Sequence, residues 1–121
     1  MIMIRFKRTD HIAITIPKGK TGEARAFYGG ILQLKEIPGK HPNWATWFEL
    51  GDIELHVVEE EGAHGLSARH AAFEVTDLEG AKAFLSAKGI DITYSSKITG
   101  RERFFFRDPF GNRIELLEYE A

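Results

Sequence analysis

The sequence predicts an α+β fold built from two copies of one strand–helix–strand–strand–strand unit. The first observation is a repeated tripeptide, Ile-Glu-Leu, at residues 53–55 and 114–116. The second is a pair of histidines, His11 and His70, each of which opens an apolar run. The separations nearly agree, with 59 positions between the histidines and 61 between the two tripeptides. We therefore expect an internal repeat.

The first unit begins with a strand in which three isoleucines alternate with other residues from His11 onward, the period of a half-buried strand. A helix follows, which we expect Thr21 to cap, and the Gly29-Gly30 pair weakens its middle. The turn Gly51-Asp52 joins the last two strands into a hairpin. The expected elements are a strand at 11–16, a helix at 21–32, and strands at 34–37, 44–50 and 53–58.

The second unit follows an acidic, glycine-flanked stretch at 59–65, which we interpret as a linker. Asp77 is expected to cap its helix and Gly89 to end it. Residues 108–112 read Asp-Pro-Phe-Gly-Asn, a composition typical of a turn. The expected strands are 70–75, 90–94, 103–106 and 113–119. The chain of 121 residues is then one domain with modules at about 5–58 and 66–120.

The composition is that of an ordinary globular protein, with 43% hydrophobic and 28% charged residues. A net charge of −2 with scattered lysines and arginines argues against nucleic acid as a partner. The absence of cysteine excludes disulfides, thiolate metal sites and a cysteine nucleophile. No signal-like or long apolar segment is present, so we expect a cytoplasmic protein that does not bind membranes.

Strand periodicity places polar residues of four strands on the faces opposite their aliphatic side chains. His11 and His70 lie on the first strands of the two units, and Glu54 and Glu115 lie on the last strands. Imidazole nitrogens and carboxylate oxygens on rigid strands suit a divalent ion such as zinc, nickel, manganese or iron(II). The plain alternative is that these residues only form the solvated face of a half-polar sheet. Their matching places in two repeats favour the metal site.

Three segments carry a resemblance to a known family: Asp10 to Ala13, Arg69 to Val75, and Phe105 to Leu116. They resemble the vicinal oxygen chelate superfamily, which contains glyoxalase I, extradiol dioxygenases, fosfomycin-resistance thiol transferases and bleomycin-binding proteins. The resemblance implies two βαβββ modules forming a curled, barrel-like mixed sheet around a metal-containing cavity, with helices outside. It also implies a homodimer.

The resemblance assigns metal ligation to His11, His70 and Glu115. It assigns the fourth position to Glu54, which shares the Ile-Glu-Leu context of glyoxalase I. His56, two residues on and on the same face, is the alternative to Glu54. Glu115 or Glu54 would also serve as the general base of catalysis.

The resemblance implies a metal-dependent isomerase or lyase of the glyoxalase type, whose small substrate chelates the ion through vicinal oxygens. Alternatives are a fosfomycin-type thiol transferase, an extradiol-type dioxygenase and a non-catalytic small-molecule binding protein of the same fold. A thiol is a candidate co-substrate. Arg101 and Arg103 are candidate anion contacts for a phosphonate, although Phe105 replaces the tyrosine of the fosfomycin subfamily. The candidate substrate-contacting residues are Trp47, Arg103, Phe105 and Tyr119.

Overall fold

The computed structural model describes residues 3–62 and 65–121. The chain divides into two compact units, Met1–Glu60 and Glu61–Ala121. Each unit contains one sheet that combines parallel and antiparallel strand pairs. The predicted α+β class is therefore confirmed.

The first unit has a four-stranded sheet in the order β1-β4-β3-β2. β1 runs parallel to β4, and the other neighbours are antiparallel. Its buried core contains residues from the helix and from both faces of the sheet, among them Ile16, Phe27, Tyr28 and Phe48. The strands are His11–Ile16 (β1), Glu36–Ile37 (β2), Thr46–Leu50 (β3) and Ile53–Glu59 (β4).

The helical segment of the first unit differs from the sequence prediction. An α-helical turn, α1 (Thr21–Ala24), passes directly into a π-helix at Arg25–Ile31, and a 3₁₀ turn lies at Pro42–Trp44. The wider turn includes the Gly29-Gly30 pair, whose low helix propensity weakens an ordinary α-helix here. The expected Thr21 cap is wrong, because Lys20 occupies the N-cap position without a side-chain hydrogen bond.

Thr21 has a different partner, because its hydroxyl donates to Glu59 Oε2 at 2.7 Å. The Glu59 carboxylate also accepts backbone hydrogen bonds from Gly19 and Thr21. These hydrogen bonds, the one from the Thr21 hydroxyl first, hold the pKa of Glu59 below its usual value. Glu59 therefore belongs to β4 and anchors α1, instead of starting the predicted linker.

The second unit has a three-stranded sheet in the order β5-β7-β6. β5 runs parallel to β7, and β6 runs antiparallel to it. The predicted strand at 90–94 is wrong, since only Thr93 pairs there, in an isolated bridge to Phe105. The elements are β5 (His70–Glu74), α2 (Leu78–Ala87), β6 (Arg101–Arg107) and β7 (Arg113–Tyr119).

Local signals in the second unit behave as the sequence predicts. Asp77 caps α2, because its side chain accepts from Gly80 N at 3.0 Å. The helix ends before Gly89, whose φ of 78° lies in the left-handed region that glycine tolerates. In the turn before β7, Asp108 Oδ1 accepts from the backbone of Phe110 and Asn112. This buried aspartate fixes the turn that joins β6 to β7.

Candidate functional site

The strongest candidate in the second unit is the pair formed by His70 and Glu115. The parallel register of β5 and β7 places Ala72 opposite Glu115 and His70 opposite Arg113. His70 Nε2 lies 3.0 Å from Glu115 Oε1, and the Glu115 residue is only 4% exposed. Two of the predicted ligands therefore meet on neighbouring strands, across a gap of 45 positions in the chain.

The tautomer of His70 follows from its second contact. Its Nδ1 lies 2.9 Å from the carbonyl oxygen of Ala68, and a carbonyl oxygen can only accept a hydrogen bond. Nδ1 is therefore the protonated nitrogen, which leaves Nε2 of the neutral ring with a lone pair directed at the Glu115 carboxylate. A cation or a second ring proton must lie between two such acceptors. An Nδ1–H bonded to a backbone carbonyl is the usual support of a metal-ligating histidine.

Arg103 and Phe105 adjoin this pair. Arg103 Nη1 is 3.4 Å from Glu115 Oε1, and its Nη2 donates to Ser96 O at 2.7 Å. The Phe105 ring stands edge-on to the His70 ring, with 5.1 Å between centroids. The predicted contact residues Arg103 and Phe105 are therefore next to the pair, and the Arg103 guanidinium donates a hydrogen bond to Glu115.

The first unit holds a second pair, His56 and Glu54. His56 Nε2 lies 3.0 Å from Glu54 Oε1, and the His56 residue is 8% exposed. His11 contacts Asp10 instead, with Nδ1 2.9 Å from Asp10 Oδ2. The hydrogen bond from His11 is the main reason that the pKa of Asp10 lies below its usual value. Donation from Nδ1 leaves Nε2 of His11 as the nitrogen available for a ligand.

Four aromatic rings form a continuous stack in the first unit. The His11 and His56 rings are 4.0 Å apart at 15°, and His56 and Trp47 are 3.9 Å apart at 1°. His41, which follows β2, covers the other face of Trp47 at 4.1 Å. Its Nε2 also contacts Ile37 O at 2.9 Å. Trp47, a predicted substrate residue, is thus held between two imidazoles.

The register separates the two candidates for the fourth position. Ala13 pairs with His56 in the first unit, and Ala72 pairs with Glu115 in the second. Ala13 and Ala72 are 59 positions apart, and so are His56 and Glu115. The same spacing separates His11 from His70. His56 is therefore the repeat counterpart of Glu115, whereas Glu54 is the counterpart of Arg113. The signal in the sequence that makes His56 the counterpart of Glu115 is the spacing of 59 positions between the two histidines, and not the repeated tripeptide.

The donor set fits a divalent ion, although the donors occur as pairs. Ligands about 2.1 Å from an ion and about 90° apart stand roughly 3 Å from each other, which matches the His70–Glu115 separation. Stacked rings direct their lone pairs into parallel planes, so His11 and His56 cannot both face one ion in this arrangement. Across residues 3–62 and 65–121, no group of three or more His, Asp or Glu side chains is close enough to hold an ion.

Tyr119, the remaining predicted substrate-contacting residue, lies apart from these pairs. Tyr119 is 53% exposed at the end of β7, beneath the guanidinium of Arg101 at 4.8 Å. Trp44 is 85% exposed, and Phe48 is in the core. His64 lies outside the described residues. In the part of the chain that the structure covers, no helix is long and apolar enough to cross a membrane.

Two units of this kind, each with a histidine on its first strand and a ligand-type residue on its last, define a class of small two-module proteins. The family model for the Glyoxalase/Bleomycin resistance protein/Dioxygenase superfamily matches residues 8–116. The chain belongs to this superfamily, and the resemblance read from the sequence is confirmed. Members of the superfamily bind small-molecule substrates, and some bind divalent metals.

Solved structures agree with this assignment. A protein from Bacillus anthracis assigned to the glyoxalase family is 32% identical, with a TM-score of 0.89, over 98% of this chain and 100% of that one. A glyoxalase family protein from Enterococcus faecalis is 28% identical, with a TM-score of 0.75, over 93% and 98%.

A third structure shares the fold at low identity. The fosfomycin resistance protein FosX from Listeria monocytogenes, as an E126Q mutant with Mn(II) and 1S,2S-dihydroxypropylphosphonic acid, is 15% identical. Its TM-score is 0.79, over 97% of this chain and 95% of that one. A comparison with curated protein sequences finds no match.

Proposed function

We propose that this protein is a divalent-metal enzyme of the glyoxalase type, acting on a small substrate that carries vicinal oxygens. The observation that carries the proposal is the His70–Glu115 pair, in which Nε2 and Oε1 face each other at 3.0 Å. Because Ala68 O accepts from Nδ1, the space between Nε2 and Oε1 must hold either a second ring proton or a cation. A divalent ion bound by both atoms would take the place of that proton.

The proposed ligands are His70 and Glu115 in the second unit, and His11 with a fourth residue in the first. The register favours His56 over Glu54 for that fourth place, since His56 is the counterpart of Glu115. Because the His11 and His56 rings are stacked, ligation of one ion by both requires one of the two rings to rotate out of the stack. Glu54, which accepts from His56, then orients its ring. This revises the fourth assignment toward the alternative that the sequence left open.

A divalent ion at such a site stabilises negative charge that develops on substrate oxygens. The chain's own residues supply the proton acceptor. Glu115 Oε1 contacts His70 and Arg103, whereas its Oε2 accepts no hydrogen bond from a described residue. Oε2 is therefore the atom that we propose takes a proton from the substrate carbon next to a carbonyl group.

The alternative of a binding protein without turnover is favoured by one observation. The ligand-type side chains occur only in pairs among the described residues. Such a protein would bind its small molecule and leave it unchanged. A screen of metal-loaded protein against methylglyoxal with thiols, catechols and fosfomycin separates the two functions, because only the enzyme gives a product. The same screen separates glyoxalase, dioxygenase and thiol transferase chemistry.

The first test is divalent-ion binding by calorimetry on chelator-stripped protein. We expect wild type to bind Mn²⁺, Ni²⁺ or Zn²⁺ with a dissociation constant at or below about 1 μM, within the range of sites with several protein ligands. Glu115→Gln and His70→Ala should each weaken binding by about 100-fold or more, since each removes a direct ligand.

The matched control is Glu74→Gln, which removes an exposed carboxylate from β5 in the same sheet. It should leave ion affinity within about 2-fold of wild type, because it removes no proposed ligand. Failure of the wild type to bind any of these ions at micromolar concentration would refute the proposal, as would an equal loss in Glu74→Gln and Glu115→Gln.

We also propose that the protein is a homodimer and that it is located in the cytoplasm. A monomer in analytical sedimentation would contradict the homodimer.

A further inference from the structure

We infer that a pocket in the second unit binds the oxyanion head group of a small molecule through Arg107 and Arg113. The head group is a phosphonate, phosphate or carboxylate. The inference that this molecule is the substrate rests on the proposed function, whereas the binding of the anion itself does not. Arg107 and Arg113 were not among the residues that the sequence singled out.

The pocket has a volume of about 470 Å³, within the usual range for small-molecule sites. Its lining combines two guanidinium groups with two hydroxyl groups and four apolar side chains, and it contains no acidic side chain. The lining residues are Leu66, Ser67, Ala68, Thr93, Phe105, Phe106, Arg107 and Arg113.

Arg113 is held in place without being neutralised. Its guanidinium lies 3.8 Å from the centre of the Phe105 ring, a close cation–π contact. Its Nη1 donates to Ala68 O at 3.2 Å, and no described carboxylate lies within ion-pair distance. Since a guanidinium has five N–H donors, Arg113 keeps donors for an oxyanion. A planar fork that is already oriented suits a carboxylate or phosphonate.

Arg107 lies directly opposite Arg113 in the antiparallel ladder of β6 and β7. Its Nη1 donates to Gly111 O at 2.7 Å, and it too lacks a carboxylate partner among the described residues. Like charges that face each other across two strands destabilise a sheet. An anion bound by both guanidinium groups would remove that repulsion. The charge pattern is therefore explained by a ligand and not by the stability of the sheet.

The pocket adjoins the proposed metal ligands. Arg113 Nη1 is 3.3 Å from His70 Nδ1, and both nitrogens donate to Ala68 O. A molecule whose anionic group rests on Arg113 therefore has its remaining atoms close to His70. The Phe105 ring contacts both the His70 ring and the Arg113 guanidinium. The geometry fits a small molecule with an anionic group at one end and metal-chelating oxygens at the other.

The arginines that sequence reasoning named are less suited to this role. Arg103 is committed to Glu115 Oε1 and Ser96 O, and Arg101 covers the ring of Tyr119. Neither lines the pocket. Arg101 nevertheless lies on the same strand as Arg107, so it provides a matched control for a general effect of positive charge.

The test is calorimetric titration of the full chain, stripped of metal by a chelator that is then removed by dialysis, with phenylphosphonate, benzoate and benzamide. The first two share an apolar ring and differ in the head group, and the third is neutral. We expect phenylphosphonate or benzoate to bind at about 1 mM or tighter and benzamide to bind at least about 10-fold more weakly. The tighter of the two anions identifies the head group.

Arg113→Gln and Arg107→Gln should each weaken binding of the preferred anion by about 10-fold or more, since each removes charge-assisted hydrogen bonds. Arg113→Lys, which keeps the charge but loses the planar fork, should fall between wild type and Arg113→Gln. Arg101→Gln should remain within about 2-fold of wild type. Circular dichroism verifies that each variant is folded.

Equal binding of benzamide and the anions would overturn the inference, and so would an Arg101→Gln loss as large as that of Arg113→Gln. Because the titration excludes metal, the two proposals fail separately. A protein that binds the anion but no divalent ion overturns the proposed function alone. A protein that binds the ion but none of the anions overturns the pocket assignment alone.

Discussion

The two units of the chain place the same residue type at some repeat positions and opposite chemistry at others. At a spacing of 59 positions, His11 corresponds to His70, and Glu59 corresponds to Glu118. Glu118 Oε1 accepts from the backbone of Leu78 at the start of α2, just as Glu59 anchors the start of α1. A carboxylate at this place binds the N–H groups that begin a helix. These positions maintain the repeated scaffold.

Each sheet has a pair of like charges on neighbouring strands, and the sign of this pair differs between the two units. In the first unit Glu54 pairs with Glu49 across the ladder, whereas Arg113, the repeat counterpart of Glu54, pairs with Arg107 in the second unit. Each arrangement sets like charges directly opposite each other, which lowers sheet stability. Two units with one scaffold therefore offer different chemistry, acidic in the first and basic in the second. The difference locates anion binding in the second unit.

The largest expected effect concerns His56 and Glu54, which the comparison assigns to different roles. As the counterpart of Glu115, His56 should contribute a direct ligand, so His56→Ala should weaken divalent-ion binding by about 100-fold or more. Glu54→Gln should weaken it by only about 10-fold, the usual size of an effect through an orienting partner. Calorimetry on chelator-stripped protein measures both.

His41→Ala is the control for this comparison, because it removes the far ring of the stack without touching His56 directly. It should stay within about 3-fold of wild type, because Trp47 and His56 lie between His41 and the proposed ion. A larger loss in Glu54→Gln than in His56→Ala would restore Glu54 to the fourth position. It would also show that the repeat spacing does not identify ligands.

The sequence predicted β1 and β7 to the residue, because alternating isoleucines in β1 end at Pro17 and β7 begins directly after the Asp-Pro-Phe-Gly-Asn turn. The Gly29-Gly30 pair predicted a weak α-helix, but the π-helix at Arg25–Ile31 that forms instead was not predictable, since its wider hydrogen-bond pattern depends on packing. Residues 90–94 alternate like a strand, but only Thr93 finds a partner. Strand pairing is a tertiary property that alternation alone does not report.

The candidate site was predicted in part for a similar reason. Periodicity placed His70 and Glu115 on the same face, and the structure brings them to 3.0 Å. The repeated tripeptide pointed to Glu54, two residues away from the true repeat position of His56. A shift of two residues keeps a side chain on the same face of a strand, so periodicity could not detect it. The spacing of 59 positions between the histidines and the register of the strands distinguish the two residues.

A smaller effect is expected from the two helix-anchoring glutamates. Glu118→Ala leaves the Leu78 N–H without its acceptor, and we expect the free energy of unfolding to fall by about 1–2 kcal/mol. Glu59→Ala should cost about the same. Urea denaturation gives both values, and binding of divalent ions and phenylphosphonate should be unchanged.

The control is Glu61→Ala, an exposed carboxylate that contacts no described residue, with an expected change within about 0.5 kcal/mol. Should Glu118→Ala be as stable as Glu61→Ala, the second unit would not depend on its glutamate, and the shared scaffold position would be a coincidence of sequence. A loss of ion binding in Glu118→Ala would instead connect this position to the site.

The smallest expected effect depends on pH and concerns the hydrogen bond from the Thr21 hydroxyl to Glu59. In the second unit, the counterpart Glu118 accepts from the backbone N–H of Leu78 instead. The Thr21 hydroxyl is the main cause of the lowered pKa of Glu59. A carboxyl group whose pKa is lower in the folded state stabilises the fold above its unfolded pKa of about 4.3, and this stabilisation is lost as the pH falls through the folded value. Thr21→Val should therefore lower the free energy of unfolding by about 1 kcal/mol at pH 7 and by much less near pH 3.

Urea denaturation at the two pH values measures the difference. Thr99→Val, at an exposed threonine, is the control, and its effect should not depend on pH. An equal loss at both pH values would mean that the hydroxyl acts through packing, and the carboxylate would then anchor α1 through its backbone contacts alone.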